Sequence, residues 1–255
     1  VVEWSDMMAA VEVLTFVPAE PRKEVPGSWI LGACEHADAS VFWEVQAVLL
    51  QLVLLYTFSR SETPLPKAHT GENSFSALKH LQVQDVEVEQ VSGRVCVGVR
   101  LKAIKQDAGM QRAAASGDGD WVWIGDTPGP CSIVLWLRRF FSFFAGVARA
   151  RTAPFFCARE RDGRALLYGR GMEDVRALWA RTPGVGSVLA KTCGLHGLRV
   201  SGNNGTTRTL GKAVAIAQGG WAAEASQERY DRTDLADVVR IPECVVASWA
   251  ARETD

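Results

Sequence analysis

The feature of this 255-residue sequence that most constrains its fold is an apolar stretch at residues 40–58. A run of this length is close to what a membrane-spanning helix needs. Three polar side chains interrupt it, however, at Glu44, Gln46 and Gln51, and prolines follow soon after it. Polar residues within such a run, with turn residues directly behind it, are typical of a core helix in a globular domain. We therefore predict a buried central helix and no membrane span.

A change of hydrophobic period after this helix indicates a small sheet. Between residues 81 and 105, valines and leucines alternate with polar or small residues, and Ser92 and Gly93 supply a turn. This pattern predicts an antiparallel hairpin, and residues 121–124 form a candidate third strand. Three later stretches are predicted to be helices: 133–147, 174–179 and 210–218. The expected fold is mainly α-helical with a small antiparallel β-sheet, an α+β domain.

Two local compositions suggest boundaries along the chain. An amphipathic piece at residues 7–17 precedes three prolines, which predicts a helix followed by a linker. We therefore expect an N-terminal helix and linker over residues 1–30 and one domain over residues 31–255. A second composition, rich in Gly, Asn and Thr at residues 201–207, predicts a turn.

The charges are unevenly distributed, although the formal net charge is only −1. Residues 1–59 contain two basic and eight acidic residues, whereas residues 138–181 contain ten arginines and four acidic residues. Such asymmetry predicts one basic face, which a near-neutral total conceals. The alternative is that these arginines form an ordinary salt-bridged surface.

The six cysteines are widely scattered and form neither a CxxC pair nor a Cys/His cluster. This arrangement predicts neither a zinc site nor a disulfide framework. A reducing compartment is the simpler inference, and no signal peptide is recognisable at the N-terminus. The expected location is therefore nuclear or cytoplasmic.

The residues best suited to chemistry are concentrated between positions 196 and 230. His196 and Arg199 are three residues apart, so a helix would place both side chains on one face. A guanidinium fork beside an imidazole suits the oxygens of a phosphodiester. Trp221 follows two glycines, and Tyr230 follows Trp221 after nine residues. Each of these residues alone is more often a packing or surface side chain, but the ordered set is more specific than its parts.

The segment 193–232 resembles the C-terminal catalytic motifs of the tyrosine recombinases, the phage-integrase family. In that family an HxLR motif precedes a Gly-His or Gly-Trp turn, and the nucleophilic tyrosine follows nine residues later. His196, Arg199, Trp221 and Tyr230 match those positions. The resemblance identifies residues 31–255 as a tyrosine recombinase-like catalytic domain.

The family also has an arginine at the end of a long buried helix, in a T-G-L-R-x-x-E context. Residues 57–62 read Thr-Phe-Ser-Arg-Ser-Glu, which nominates Arg60, although Glu62 stands two rather than three residues after it. The family's catalytic lysine lies on a β-hairpin, often followed by Thr-Asp. Lys105, followed by Gln and Asp, resembles it, and Lys102 is the alternative.

The resemblance implies transesterification of DNA. Tyr230 would attack the scissile phosphorus and form a covalent 3′-phosphotyrosine, which requires neither a metal nor another cofactor. Arg60 and Arg199 would hold the non-bridging oxygens. His196 would assist proton transfer, and Lys105 would protonate the leaving 5′-oxygen. The implied active site has six members: Arg60, Lys105, His196, Arg199, Trp221 and Tyr230.

The implied partners are double-stranded DNA and further copies of the chain, as a tetramer on DNA. Lys105 and the arginine-rich segment 138–181 would line the DNA-facing surface. The tail, residues 233–255, carries an apolar stripe that either packs against a neighbouring subunit or folds back on its own domain. Three alternative functions remain open: a type IB topoisomerase, a catalytically decayed DNA-binding domain of a mobile element, and a helical protein-interaction module.

Overall fold

The computed structural model describes residues 23–91, 93–102, 120–158, 163–219 and 239–250. Within these ranges the chain forms eight α-helices and three β-strands, which confirms the predicted α+β class. The helices are α1 (Gly27–His36), α2 (Phe42–Thr57), α3 (Ile133–Ser142), α4 (Tyr168–Trp179), α5 (Gly186–Ala190), α6 (Leu195–Thr209), α7 (Lys212–Gly219) and α8 (Ile241–Ala250). The strands are β1 (Val86–Val91), β2 (Arg94–Leu101) and β3 (Asp120–Gly125).

Helix α2 is the centre of the fold, as the apolar stretch predicts. Every residue from 44 to 57 is buried. Its polar residues are satisfied inside the core: the Gln46 amide exchanges two hydrogen bonds of 2.9 Å with the backbone of Cys157. The side chain of Gln51 accepts a hydrogen bond of 3.1 Å from the indole of Trp179. Across the described ranges, no helix is long and apolar enough to span a bilayer.

The sheet is antiparallel in the order β1-β2-β3. Val86 pairs with Val99 across the hairpin, and Val97 pairs with Ile124 on the third strand. The buried side chains of Val97, Val99 and Ile124 face the helical core, as alternation along a strand requires. The predicted hairpin and third strand are both confirmed.

Helix α6 corrects the turn predicted at residues 201–207, because the helix continues through them to Thr209. The small residues there are contact positions. A Cβ added to Gly202 would lie 2.0 Å from the Leu55 carbonyl oxygen on α2. The hydroxyl of Ser201 bonds both the amide and the carbonyl of Val25, at 2.9 and 2.8 Å. Tertiary packing therefore outweighs the poor intrinsic helix propensity of this composition.

Two other predicted helices differ in length. Helix α3 ends at Ser142 instead of reaching 147, and Gly146 beyond it has a left-handed backbone, with φ of 78°. Helix α4 begins at Tyr168 instead of 174. Its first turns contain glycine, and Gly171 lies directly against α2, where an added Cβ would meet a methyl group of Leu50 at 3.1 Å. Close packing again explains why a glycine lies within a helix.

The N-terminal part of the described chain belongs to the same core. Val25, Trp29 and Ile30 are buried, and α1 crosses the expected boundary between residues 30 and 31 without a break. Residues 1–22, which include the predicted helix at 7–17, lie outside the described residues.

Helix α8 shows where the described part of the tail lies. Val245 packs beside Gly205 of α6, and the ring of Trp249 lies over Gly27 of α1. The carboxylate of Glu243 also pairs with a hairpin residue, Arg94, at 2.6 Å. Residues 239–250 therefore pack on their own domain, as one of the two alternatives for the tail expects.

We expect Gly202→Ala to lower the free energy of unfolding by roughly 2–3 kcal/mol, because its methyl group would overlap a backbone oxygen that cannot move alone. Urea unfolding measures this. Gly169→Ala, in helix α4, is the matched control, because nothing lies within 4 Å of an added Cβ there. The control should change stability by about 1 kcal/mol or less, in the stabilising direction. Equal effects of the two substitutions would contradict the close crossing of α2 and α6.

Candidate active site

Arg60 follows directly on a well-defined helix end. In the described part of the chain, Phe58 is the only non-glycine residue with a left-handed backbone, with φ of 49°, and it occupies the position after α2 where such a turn ends a helix. The hydroxyl of Thr57 donates to the Val53 carbonyl at 2.7 Å and accepts from the Ser59 amide at 3.2 Å. The direction in which Arg60 leaves the helix is therefore set by buried contacts on its N-terminal side.

His196 and Arg199 lie in the first turns of α6, as their spacing predicts. His196 is half-buried, and only 9% of Arg199 is exposed. Gly197 lies between them against the backbone of Lys23, where an added Cβ would be 2.6 Å from the carbonyl oxygen. The amino-terminal end of a helix carries partial positive charge, so this end of α6 favours an anion close to both side chains.

The crossing of α2 and α6 brings the two arginines together. Gly202 lies against Leu55 and the ring of Phe58, so the α6 turn with Arg199 lies beside the α2 end with Arg60. The pKa of Arg199 is lowered to about 10, first by burial and then by the positive charge of Arg60. Two positive charges held together in a partly buried place favour the binding of an anion between them.

Lys102, the alternative to Lys105, is held by the hairpin region itself. Its ammonium group donates to the Ala77 carbonyl at 3.1 Å and to the Gln82 side chain, and it pairs with Asp85. These three contacts match the three N–H donors of a lysine. Lys102 would have to leave Asp85 before it could protonate a leaving group.

Asp85 is a residue that the sequence analysis missed. Its carboxylate is fully buried, and it pairs with both Lys102 and Arg100, the latter at 2.6 Å. It also accepts a hydrogen bond of 2.8 Å from the Gln82 amide, in a reciprocal capping arrangement. The sequence signal that could have identified this arrangement is the spacing of Gln82 and Asp85, two polar residues three positions apart, which is typical of a capping box. The pair of cations on one buried carboxylate fixes the end of β2, from which the chain continues to Lys105.

Glu62 lies at the surface, where it pairs with Lys67 at 2.6 Å and 60% of its side chain is exposed. Three of the six predicted site residues lie within the described residues: Arg60, His196 and Arg199. The helix crossing places Arg60 near Arg199, and His196 lies on the same helix as Arg199. The other three lie outside the described residues: Lys105, Trp221 and Tyr230.

Part of the arginine-rich segment is engaged within the domain instead of contributing to the predicted basic face. Arg149 lies over the ring of Phe144 at 4.4 Å, and burial lowers its pKa. Arg176 donates to two carbonyls in front of α6, at 2.9 and 3.0 Å. Arg181 pairs with Glu44 at 2.6 Å. The salt-bridged alternative therefore holds for Arg181, whereas Arg149 and Arg176 are held by an aromatic ring and by backbone carbonyls.

Four other described arginines of the segment are exposed: Arg138, Arg151, Arg164 and Arg170, the last of which pairs with Asp174 at 2.9 Å. Of these four, Arg138 and Arg151 are the two used in the experiments proposed below. A basic surface on this side would consist of a few separate side chains.

The cysteines provide no metal site. All six are free thiols, and the nearest contact between two of them joins the sulfurs of Cys34 and Cys131 at 3.8 Å. Burial raises the pKa of the Cys34 thiol well above its usual value. Within the residues that the structure describes, no group of three or more His, Cys, Asp or Glu side chains is arranged to hold a metal ion.

Comparison with known proteins adds no family assignment. No protein-family model matches this chain, and no curated protein matches it.

We expect Arg199→Met to raise the free energy of unfolding at pH 7 by roughly 1–3 kcal/mol. The folded-state pKa of Arg199 is lowered to about 10, so its charged form destabilises the fold at every pH below about 10. That cost is relieved only as the pH rises above this value. Methionine has a similar length without the charge, and urea unfolding measures the difference.

The matched control is Arg138→Met, since Arg138 is exposed and its replacement should change stability by less than about 0.5 kcal/mol. If Arg199→Met were instead more destabilising than Arg138→Met, burial of the Arg199 charge would be net favourable and this interpretation would be wrong.

Proposed function

We propose that this protein is a DNA strand transferase of the tyrosine recombinase type, which breaks and rejoins DNA through a covalent 3′-phosphotyrosine. One observation carries the proposal. Arg60 and Arg199 come from distant parts of the sequence, and the crossing of α2 and α6 at Gly202, Leu55 and Phe58 places them near one another. Burial lowers the pKa of Arg199, and the charge of Arg60 adds to that effect. His196 is in the same turn of α6 as Arg199.

A phosphodiester is a suitable ligand for this pair. It carries one negative charge on two non-bridging oxygens, and guanidinium groups bind such oxygens with paired, charge-assisted hydrogen bonds. The pentavalent transition state carries more negative charge than the ground state. Two cations that repel one another would therefore gain most when that charge develops between them. This is the electrostatic basis on which the site would accelerate strand cleavage.

The remaining roles follow from the resemblance. The Tyr230 phenolate oxygen would form a bond to phosphorus as the bond from phosphorus to the 5′-oxygen breaks. Lys105 would give its proton to that oxygen, while His196 assists proton transfer and Trp221 donates its indole N–H. The phosphotyrosine retains the energy of the broken bond, so a 5′-hydroxyl can attack it and rejoin the strand. We favour Lys105 over Lys102 because Lys102 is already paired with Asp85.

The proposed partners are double-stranded DNA and further copies of the chain, which would assemble as a tetramer on two DNA duplexes. The proposed location is wherever that DNA lies, in the nucleus or the cytoplasm. Two related functions differ in their products. A type IB topoisomerase would relax supercoiled DNA without exchanging strands between sites, and a decayed domain would bind DNA without forming an adduct.

We expect Tyr230→Phe to abolish covalent attachment to DNA, because phenylalanine lacks the attacking oxygen. The substrate is a pool of duplexes with randomised sequence, each nicked in one strand so that cleavage beside the nick releases a short fragment and rejoining fails. Adducts that survive detergent are separated by gel electrophoresis, and sequencing of the attached strands identifies the preferred site.

The control is Tyr168→Phe, which removes a phenol at the start of helix α4. This variant should form as much adduct as the unsubstituted protein. Adduct formation by Tyr230→Phe would show that another residue is the nucleophile. Absence of any adduct with the unsubstituted protein would remove the proposed activity.

We expect DNA affinity to fall steeply with salt, with a slope of about 0.9 on logarithmic axes for each phosphate contacted. Arg138→Gln and Arg151→Gln should each reduce that slope by about one contact, because both side chains are exposed in the basic segment. Fluorescence anisotropy across a salt series measures it. Arg240→Gln removes an exposed charge elsewhere and should leave the slope unchanged. A slope that none of these substitutions alters would place the DNA on another surface.

A further inference from the structure

The carboxyl-terminal end of α2 needs hydrogen-bond donors from elsewhere. The last carbonyls of a helix have no partner within it, and at this end they are buried away from water. The Tyr56 carbonyl accepts a hydrogen bond of 2.7 Å from the side-chain amide of Gln218. Tyr56 is fully buried, and only 6% of Gln218 is exposed. The contact therefore satisfies a backbone group that no solvent molecule could easily reach.

Gln218 lies at a particular point of the chain. It is in the last turn of α7, which packs against α6. Trp221 follows three residues later and Tyr230 twelve residues later. The Gln218 amide is thus a direct link between α7 and the end of α2.

The acceptor of this hydrogen bond, Tyr56, lies four residues before Arg60. The intervening turn is closed by hydrogen bonds of Thr57 and by the left-handed backbone of Phe58. A displacement of the Tyr56 carbonyl would therefore be passed on through a short, well-connected turn to the Arg60 guanidinium.

We infer that Gln218 is a positioning residue, which holds the turn with Arg60 in place against helix α7. The inference rests on the proposed function for its catalytic consequence, but the physical link between α7 and the end of α2 does not depend on it. A glutamine suits this place because its amide can donate to a carbonyl without bringing a charge into the core. Small displacements of reacting groups can reduce rates on the order of 100-fold, so such a link would matter for catalysis without touching DNA.

The test compares Gln218→Met with Gln46→Met in the whole chain. Methionine keeps the length of glutamine but cannot donate the hydrogen bond. Gln46 is a matched control, because it is a buried glutamine of α2 that bonds the backbone of Cys157 near the other end of the helix. Gln218→Asn, which keeps the amide on a shorter side chain, is a second variant in case Gln218→Met does not fold.

The first readout is amide hydrogen exchange at the Arg60 turn. The Ser59 and Thr63 amides report on it, because they bond Thr57 and the Arg60 carbonyl at 3.2 and 2.8 Å. We expect both to exchange several-fold faster in Gln218→Met than in Gln46→Met. Unchanged exchange at these amides in the Gln218 variants would overturn the inference, whatever the protein's activity.

The second readout is the rate of adduct formation on the duplex selected from the randomised nicked pool. We expect Gln218→Met to slow the covalent step by on the order of 10- to 100-fold with unchanged DNA affinity, and Gln46→Met to leave the rate unchanged. If Gln218 only stabilised the fold, its replacement would not slow the covalent step while DNA affinity stayed unchanged. If the unsubstituted protein forms adduct and Gln218→Met forms it equally fast, the positioning role is wrong while the proposed function stands. If no protein forms adduct, the proposed function fails, and the exchange experiment still decides whether Gln218 holds the turn.

Discussion

The close crossing of α2 and α6 is the contact on which the rest of the structure depends. It is possible only because Gly202 lacks a side chain, since a Cβ there would be 2.0 Å from the Leu55 carbonyl oxygen. Helix α6 has two further contacts of this kind. Gly197 lies against the chain before α1, and Gly205 lies against helix α8. One helix with three glycine contacts thus packs against three parts of the domain, and its amino-terminal turns are held rigidly beside the end of α2.

This packing creates an electrostatic cost. Arg199 is buried beside Arg60, and both burial and the neighbouring charge act against its charged form. Proteins commonly keep such unfavourable arrangements where a ligand or transition state of opposite charge relieves them. Elsewhere in the domain, the guanidinium of Arg181 pairs with the buried carboxylate of Glu44 at 2.6 Å.

Much of the fold could be predicted from local sequence patterns, and the errors have a common cause. The hairpin and α2 were correctly predicted, because alternation and an unbroken apolar run are local properties of the chain. The stretch 201–207 was interpreted as a turn from its Gly, Asn and Thr content, whereas it is the middle of α6. Glycine has two uses, freedom at a turn and close approach within an element, and composition alone does not separate them. Helix α4 likewise contains glycines within the helix, at positions 169 and 171.

The sequence by itself determined the chemistry that is available: one His and one Arg at helical spacing, an Arg after a buried helix, and the positions of Lys105, Trp221 and Tyr230. Only the tertiary structure decided which of these side chains meet and which are already occupied. It brought Arg199 to Arg60 through a helix crossing, assigned Lys102 to Asp85, and linked Gln218 to the Tyr56 carbonyl. The physical reason is that burial, close approach and charge pairing are set between residues far apart in the chain, where no local pattern records them.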